Sequence, residues 1–141
     1  MSGQPTFVTF EAHPTDDAEF SSSGDIIVPA GRELSRTLTK SLELRGFKVA
    51  EWGQYEFYGW QTTVEMDDQK CWILFQGGER WLLIAERRNG FLGWARRAEG
   101  AFRSLLAEID AALKSDSRFD NITWFTRAEY ESGSKVVRSA P

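Results

Sequence analysis

The sequence predicts an α+β fold: one domain, with an antiparallel meander sheet of five or six strands and two main helices. Three observations predict it. Three aromatic-rich runs of strand character, 57–66, 71–75 and 81–85, follow one another with only Asp67-Asp68 and Gly77-Gly78 as turn signals between them. A helical stripe of Leu34, Leu38 and Leu42 precedes the runs, and a second stripe of Phe102, Leu105, Leu106, Ile109 and Leu113 follows them. At 141 residues the chain has the length of one domain that buries a core without staples.

Taken in order, Thr6 to Phe10 has strand propensity and suits a sheet edge. Residues 11–25 are acidic and short of large apolar groups, which predicts a loop, and Asp25 to Val28 is a short apolar approach to Pro29. Pro29 suits a helix start, where its missing N–H costs nothing. The leucine stripe then runs to Gly46, the expected left-handed stop. Phe47 to Trp52 alternates as a strand, and Gly53-Gln54 is expected to break it. In the meander, Tyr58, Trp60, Thr62, Val64 and Met66 share one face of the first strand. A two-residue Asp67-Asp68 turn sets Val64 opposite Cys71 and Thr62 opposite Ile73. A two-residue Gly77-Gly78 turn would add Leu82 and Ile84 to that face, leaving Trp72, Leu74, Trp81, Leu83 and Ala85 on the other. Residues 87–97 read as irregular, and a helix begins near Glu99 and ends at Ser115-Asp116-Ser117. Phe119 to Phe125 is the last strand. Thr126 and Glu129 have capping-box spacing for a short helix reaching Glu131. The domain is thus expected over 1–132, with 133–141 a flexible tail.

Composition narrows the chemistry. The net charge of -4 lacks the basic footprint of a nucleic-acid-binding domain. The one cysteine, Cys71, allows no intramolecular disulfide and suits a reducing compartment. The start Met1-Ser2-Gly3-Gln4-Pro5 has no basic region leading into an apolar stretch, and no run approaches the roughly 18 apolar residues of a membrane span. A cytoplasmic protein without membrane contact is the expectation. The single histidine, His13, lies in the acidic loop, far in sequence from Cys71, so neither a metal site nor a Cys-His pair is expected. No glycine motif for phosphate is present, and no cofactor is expected. Asp67-Asp68 is turn chemistry before it is acid–base chemistry.

Two positive features remain. Six tryptophans and ten phenylalanines are more aromatic surface than one small core requires, and Trp72 and Trp81 fall on the sheet face that the first strand answers with Gln61, Thr63 and Glu65. Arg80, Arg87, Arg88, Arg96, Arg97 and Arg103 concentrate in one stretch, interleaved with Trp81, Phe91 and Trp94. Arginine and tryptophan are the residues most enriched at binding hot spots. The partner-binding candidates are therefore Trp72, Trp81, Arg87, Arg88, Phe91, Trp94, Arg96 and Arg97, with no catalytic residue among them. A rival reading is a small-ligand or enzyme pocket around Glu51, Trp52, Glu56 and Tyr58.

The helix ending in Gly46-Phe47-x-Val49, followed by Tyr58-Gly59-Trp60 and a short aromatic meander, resembles small bacterial α+β immunity proteins over roughly residues 30–90. The resemblance implies a non-catalytic protein that binds and blocks another, a toxin or secreted effector. Size, acidity and helix–meander–helix order are also similar to type III secretion chaperones, which would make the chain an escort protein.

Overall fold

A computed structural model describes residues 4–12, 17–66, 69–77, 80–88 and 96–133. The strands are β1 (Phe7–Ala12), β2 (Glu19–Phe20), β3 (Ile26–Val28), β4 (Lys48–Tyr55), β5 (Gly59–Met66), β6 (Gln69–Gln76), β7 (Trp81–Arg88) and β8 (Phe119–Phe125). The helices are α1 (Arg32–Leu44), α2 (Arg96–Ser115) and α3 (Arg127–Glu131). Six strands form one antiparallel sheet in the order β4-β5-β6-β7-β1-β8, and β2 and β3 pair as a separate hairpin. The α+β class and the meander are as the sequence predicts.

Each helix starts and stops for local reasons. Gly31 lies in the left-handed region before α1 and offers no side chain to cap it. The cap comes from elsewhere in the chain: the Asp17 carboxylate accepts the N–H groups of Gly31 and Glu33, both at 2.9 Å. At the far end, Gly46 also takes a positive φ, and the Phe47 N–H returns to the Leu42 carbonyl at 3.1 Å. That pattern is the left-handed glycine stop. Thr126 and Glu129 form the expected capping box at α3.

The register decides what the sheet faces see. β5 meets β6 with Val64 opposite Cys71 and Thr62 opposite Ile73, as expected; Asp67 and Asp68 themselves lie outside the described residues. The next hairpin differs. β6 ends at Gln76 and β7 begins at Trp81, so residues 77–80 join them instead of a two-residue turn. Phe75 then faces Leu83 and Ile73 faces Ala85. This reverses the expected parity of β7: Trp81, Leu83 and Ala85 join the Trp60 face, and Leu82 and Ile84 join Trp72 and Leu74. The physical reason is the Trp81 indole, which seats against Phe75 at a ring separation of 5.3 Å and beside the bare backbone of Gly31.

Both long helices cover this first face. Leu34, Leu38 and Leu42 of α1 and Phe102, Leu105, Leu106, Ile109 and Leu113 of α2 close over Val8, Phe10, Val64, Ile73, Phe75, Leu83 and Trp124. Polar groups in the layer are satisfied. Thr39 and Thr62 share a hydrogen bond of 2.7 Å, Trp60 Nε1–H donates to the Pro29 carbonyl, and Trp124 Nε1–H donates to Asp110 Oδ1 at 2.9 Å. Asp110 also pairs with Lys114 at 2.9 Å.

Other boundaries move. β4 continues through Gly53-Gln54 because a bulge at Ala50, which has no counterpart on β5, absorbs the irregularity earlier. β7 reaches Arg88 and α2 begins at Arg96, so Arg87, Arg88, Arg96 and Arg97 belong to regular elements, and 89–95 lie outside the described residues. The acidic segment carries β2 and the Asp17 cap, so it is not simply a loop; His13 and the tail from 134 onward lie outside the described residues.

Two stability measurements test this packing. A Cβ added at Gly31 would stand 2.6 Å from Trp81 Cζ3 at a φ of 102°, so Gly31→Ala is expected to cost about 2–4 kcal/mol in denaturant unfolding. Among the described residues, Thr9 Oγ1 is the buried side-chain polar atom without a partner. Thr9→Val removes that hydroxyl at nearly constant shape and is expected to raise stability by about 1 kcal/mol in the same assay.

Candidate functional site: an aromatic track on the second sheet face

Because α1 and α2 both sit on the first face, the second face has a different fate. Alternation places Glu51, Gly53 and Tyr55 of β4 there, then Gln61 and Thr63 of β5, Lys70, Trp72 and Leu74 of β6, and Leu82, Ile84, Glu86 and Arg88 of β7. Its middle is closed: Leu74, Leu82 and Phe7 are buried, and Tyr130 of α3 packs on Phe7 at 4.9 Å. Toward β4 the face opens into a hollow of about 440 Å³, lined by Glu51, Tyr55, Gln61, Thr63, Lys70, Trp72 and Arg88, with Ala50 at its edge.

Trp72 organises the hollow. Its Nε1–H donates to Gln61 Oε1 at 2.8 Å, which fixes the plane of the indole. Arg88 lies over the ring at 4.5 Å and is steered there by Glu86, whose carboxylate stands 3.8 Å from Arg88 Nε. Tyr55 also meets Trp72 edge-on, at 5.2 Å. From Tyr55 the contacts continue outward: Tyr58 at 5.6 Å, then Phe57 a further 5.4 Å on, both edge-on. Four rings in sequence thus lead from the hollow over the sheet edge to the β4–β5 hairpin tip. The Tyr58 phenol is held above its ordinary pKa by desolvation and by neighbouring Tyr55.

The charges are divided. Lys70 and Arg88 flank one end of the hollow, and Glu51 stands at the β4 side. Among the described residues neither Lys70 nor Glu51 has an ion-pair partner. The Gln61 amide keeps its N–H groups free for a ligand, since Trp72 uses only its oxygen. Such a site offers stacking surface, donors and one carboxylate. Among the described residues it does not bring a nucleophile to a base, and no group of three potential metal ligands occurs.

The predicted residues fare unequally. Trp72 and Arg88 come together in the hollow. Trp81, expected on an uncovered face, is 9% exposed on the helix side, and this corrects the expectation. The parity change explains it. Arg87 alternates to the first face and lies 5.2 Å over the Phe102 ring. Arg96 and Arg97 form the first turn of α2. Phe91 and Trp94 lie outside the described residues. The rival pocket does not assemble. Glu51 lines the hollow, but Trp52 points to the opposite face, stacked on Trp60 at 5.2 Å with its N–H on Ser35 Oγ. Glu56 sits in the hairpin tip with a φ of 55°.

Sequence reading missed Tyr55, Gln61 and Lys70. The signal for Tyr55 was the continued alternation Glu51-x-Gly53-x-Tyr55, hidden by reading Gly53 as a stop. It also missed Phe20, Ile26, Ile27 and Phe57 as solvent-facing groups. No protein family model, curated protein or solved structure matches this chain.

Cys71 is buried on the first face, where desolvation pushes its thiol up to about 12. Only a thiolate attacks, so a thiol-reactive dye at pH 8 is expected to label the folded protein at least about a hundredfold more slowly than the unfolded chain. The sign for stability follows. From 9.0 towards 12 the unfolded thiol ionises and the folded one does not, so stability falls over that window. Alkaline unfolding of Cys71→Ala is expected to lack this part of the slope.

Proposed function

We propose that this protein recognises another polypeptide along the aromatic track of its second face and performs no bond-making chemistry of its own. The observation that carries this reading is the unbroken series Arg88, Trp72, Tyr55, Tyr58 and Phe57, each in contact with the next. Pre-positioned indole and phenol rings give large contact area at small entropic cost, and arginine and tryptophan dominate binding hot spots. The site's openness favours a polymer over a small molecule. Small-ligand pockets enclose most of their ligand, whereas this hollow opens onto a track that an extended segment of about six residues, roughly 20 Å, would cover. The likeness of residues 30–90 to toxin-blocking immunity proteins points to the same class of act: masking a partner's surface.

Site-directed photo-crosslinking tests this reading. A benzoyl-phenylalanine in place of Thr63, beside the track, is expected to capture one stoichiometric polypeptide in the cells that make the protein. The same group at Glu43 on the helix side is expected not to capture it. Affinity of the purified pair should fall about 30-fold or more in Trp72→Ala, with thermal unfolding little changed. Capture of the same species from both positions, or wild-type affinity in Trp72→Ala and Arg88→Ala alike, would refute the reading.

A further inference from the structure

We infer that the two hairpin tips at the end of the track form a second contact surface, whose occupant is a cationic, amphipathic segment of another protein. The surface is built by one side chain. Gln54 Nε2 donates to the Ile27 carbonyl of the β2–β3 hairpin at 2.8 Å and to the Glu56 carbonyl of the β4–β5 tip at 2.7 Å. One nitrogen reaching both carbonyls holds β3 of the first hairpin beside the β4–β5 tip.

Among the described residues, these two hairpins carry most of the large apolar groups left in solvent. Phe57 is 60% exposed, Phe20 59%, Ile27 55%, Ile26 44% and Tyr58 41%. Phe20 and Ile26 are cross-strand partners and so share one side of their hairpin, while Ile27 is the extra residue at its irregularity and turns its carbonyl to Gln54. Five such half-exposed side chains together leave on the order of 500 Å² of apolar surface in solvent at the two hairpins.

The rim is of one sign. Glu19, Asp25 and Glu56 stand next to the apolar groups along the chain, and none is in an ion pair among the described residues. No lysine or arginine occurs in 17–28 or 54–59. The next basic residue along the chain, Arg32, is committed to the Trp60 ring at 5.7 Å. Glu56 is moreover held in a left-handed conformation that glycine would adopt freely, with its carbonyl fixed by Gln54.

Charge complementarity selects the occupant. A second copy would set these carboxylates against their own images, across an area short of the roughly 800 Å² per partner of a stable interface. An anionic membrane would be repelled by the same rim. A segment with an apolar face flanked by lysines or arginines satisfies both the apolar centre and the acidic border. This surface lies beyond the hollow, where Lys70 and Arg88 make one end cationic.

The test uses two 18-residue synthetic peptides of helical period, one of leucine and lysine and one of leucine and glutamate. The lysine peptide is expected to shift the amide resonances of Ile26, Ile27, Glu56 and Phe57. Its affinity should fall at least tenfold in the double variant Ile27→Ser/Phe57→Ser and severalfold in Asp25→Asn/Glu56→Gln, which leaves the apolar groups intact. Leu44→Ser, which removes an isolated exposed leucine, should bind as wild type. The glutamate peptide should not bind. Undiminished affinity in both double variants, resonance shifts elsewhere, or equal binding of the glutamate peptide would overturn the inference. So would a dimer in sedimentation that Ile27→Ser/Phe57→Ser dissolves, or binding to anionic vesicles lost in that variant.

Discussion

The seat of the Trp81 indole, between Phe75 and the side-chain-free backbone of Gly31, fixes the parity of β7, and that parity settles both faces of the sheet. Because side chains alternate with a period of two, placing Trp81 inward also places Leu83 and Ala85 inward and sends Glu86 and Arg88 outward. The inward set completes the core beneath α1 and α2. The outward set delivers the guanidinium that covers Trp72. A shift of one residue would expose Leu83, which is fully buried, and would remove Arg88 from the aromatic track. Core and site are therefore one constraint. Gly77 contributes to it, since a Cβ there would stand 3.4 Å from the same indole.

Polar contacts within the helix-covered layer reinforce that choice. An indole N–H is a donor that needs an acceptor, and leaving one unpaired in a buried place costs about 1–3 kcal/mol. Trp52 finds Ser35, Trp60 finds the Pro29 carbonyl and Trp124 finds Asp110. These bonds tie strands to α1, to the segment before it and to α2. They add little net energy beyond what water would give, but they penalise any other docking of the helices. Trp72 follows the same rule on the other face with Gln61, which is why its ring is oriented before any partner arrives.

Much of this was legible in the sequence. The leucine stripe, the Phe102–Leu113 stripe, the Gly46 stop, the capping box at Thr126 and the first hairpin register are local patterns, and local patterns survive folding. What was not legible is non-local. Nothing near residues 77–80 announces that Gly31, far along the chain, leaves a notch for Trp81. Nothing near Gly31 announces that Asp17 caps its helix. The parity of β7 follows from the first of these, so the expected membership of the second face was right for Trp72 and Leu74 and wrong for Trp81 and Leu83. Arg87 and Arg88 look equivalent as a dipeptide. On a strand they are opposites, one over Phe102 and one over Trp72.

The edges of the sheet narrow how a partner can approach. Its outermost strands are β4 and β8, and an unpaired edge invites strand addition. Both edges are irregular. β4 carries the extra residue at Ala50, and β8 carries one at Asn121, which takes a φ of 52° opposite the step from Thr9 to Glu11 of β1. A bulge bends and over-twists a strand and interrupts its row of donors and acceptors. Asn121 is further pinned, with Arg80 donating to its carbonyl at 2.7 Å. Backbone pairing is thus blunted at both margins. Side-chain recognition remains, and its means are concentrated on the face nearest β4, where the aromatic track crosses the margin. The bulge at Ala50 sets the twist of the strand that bears Glu51 and Tyr55, so the irregularity that discourages edge pairing also aims these two side chains into the hollow.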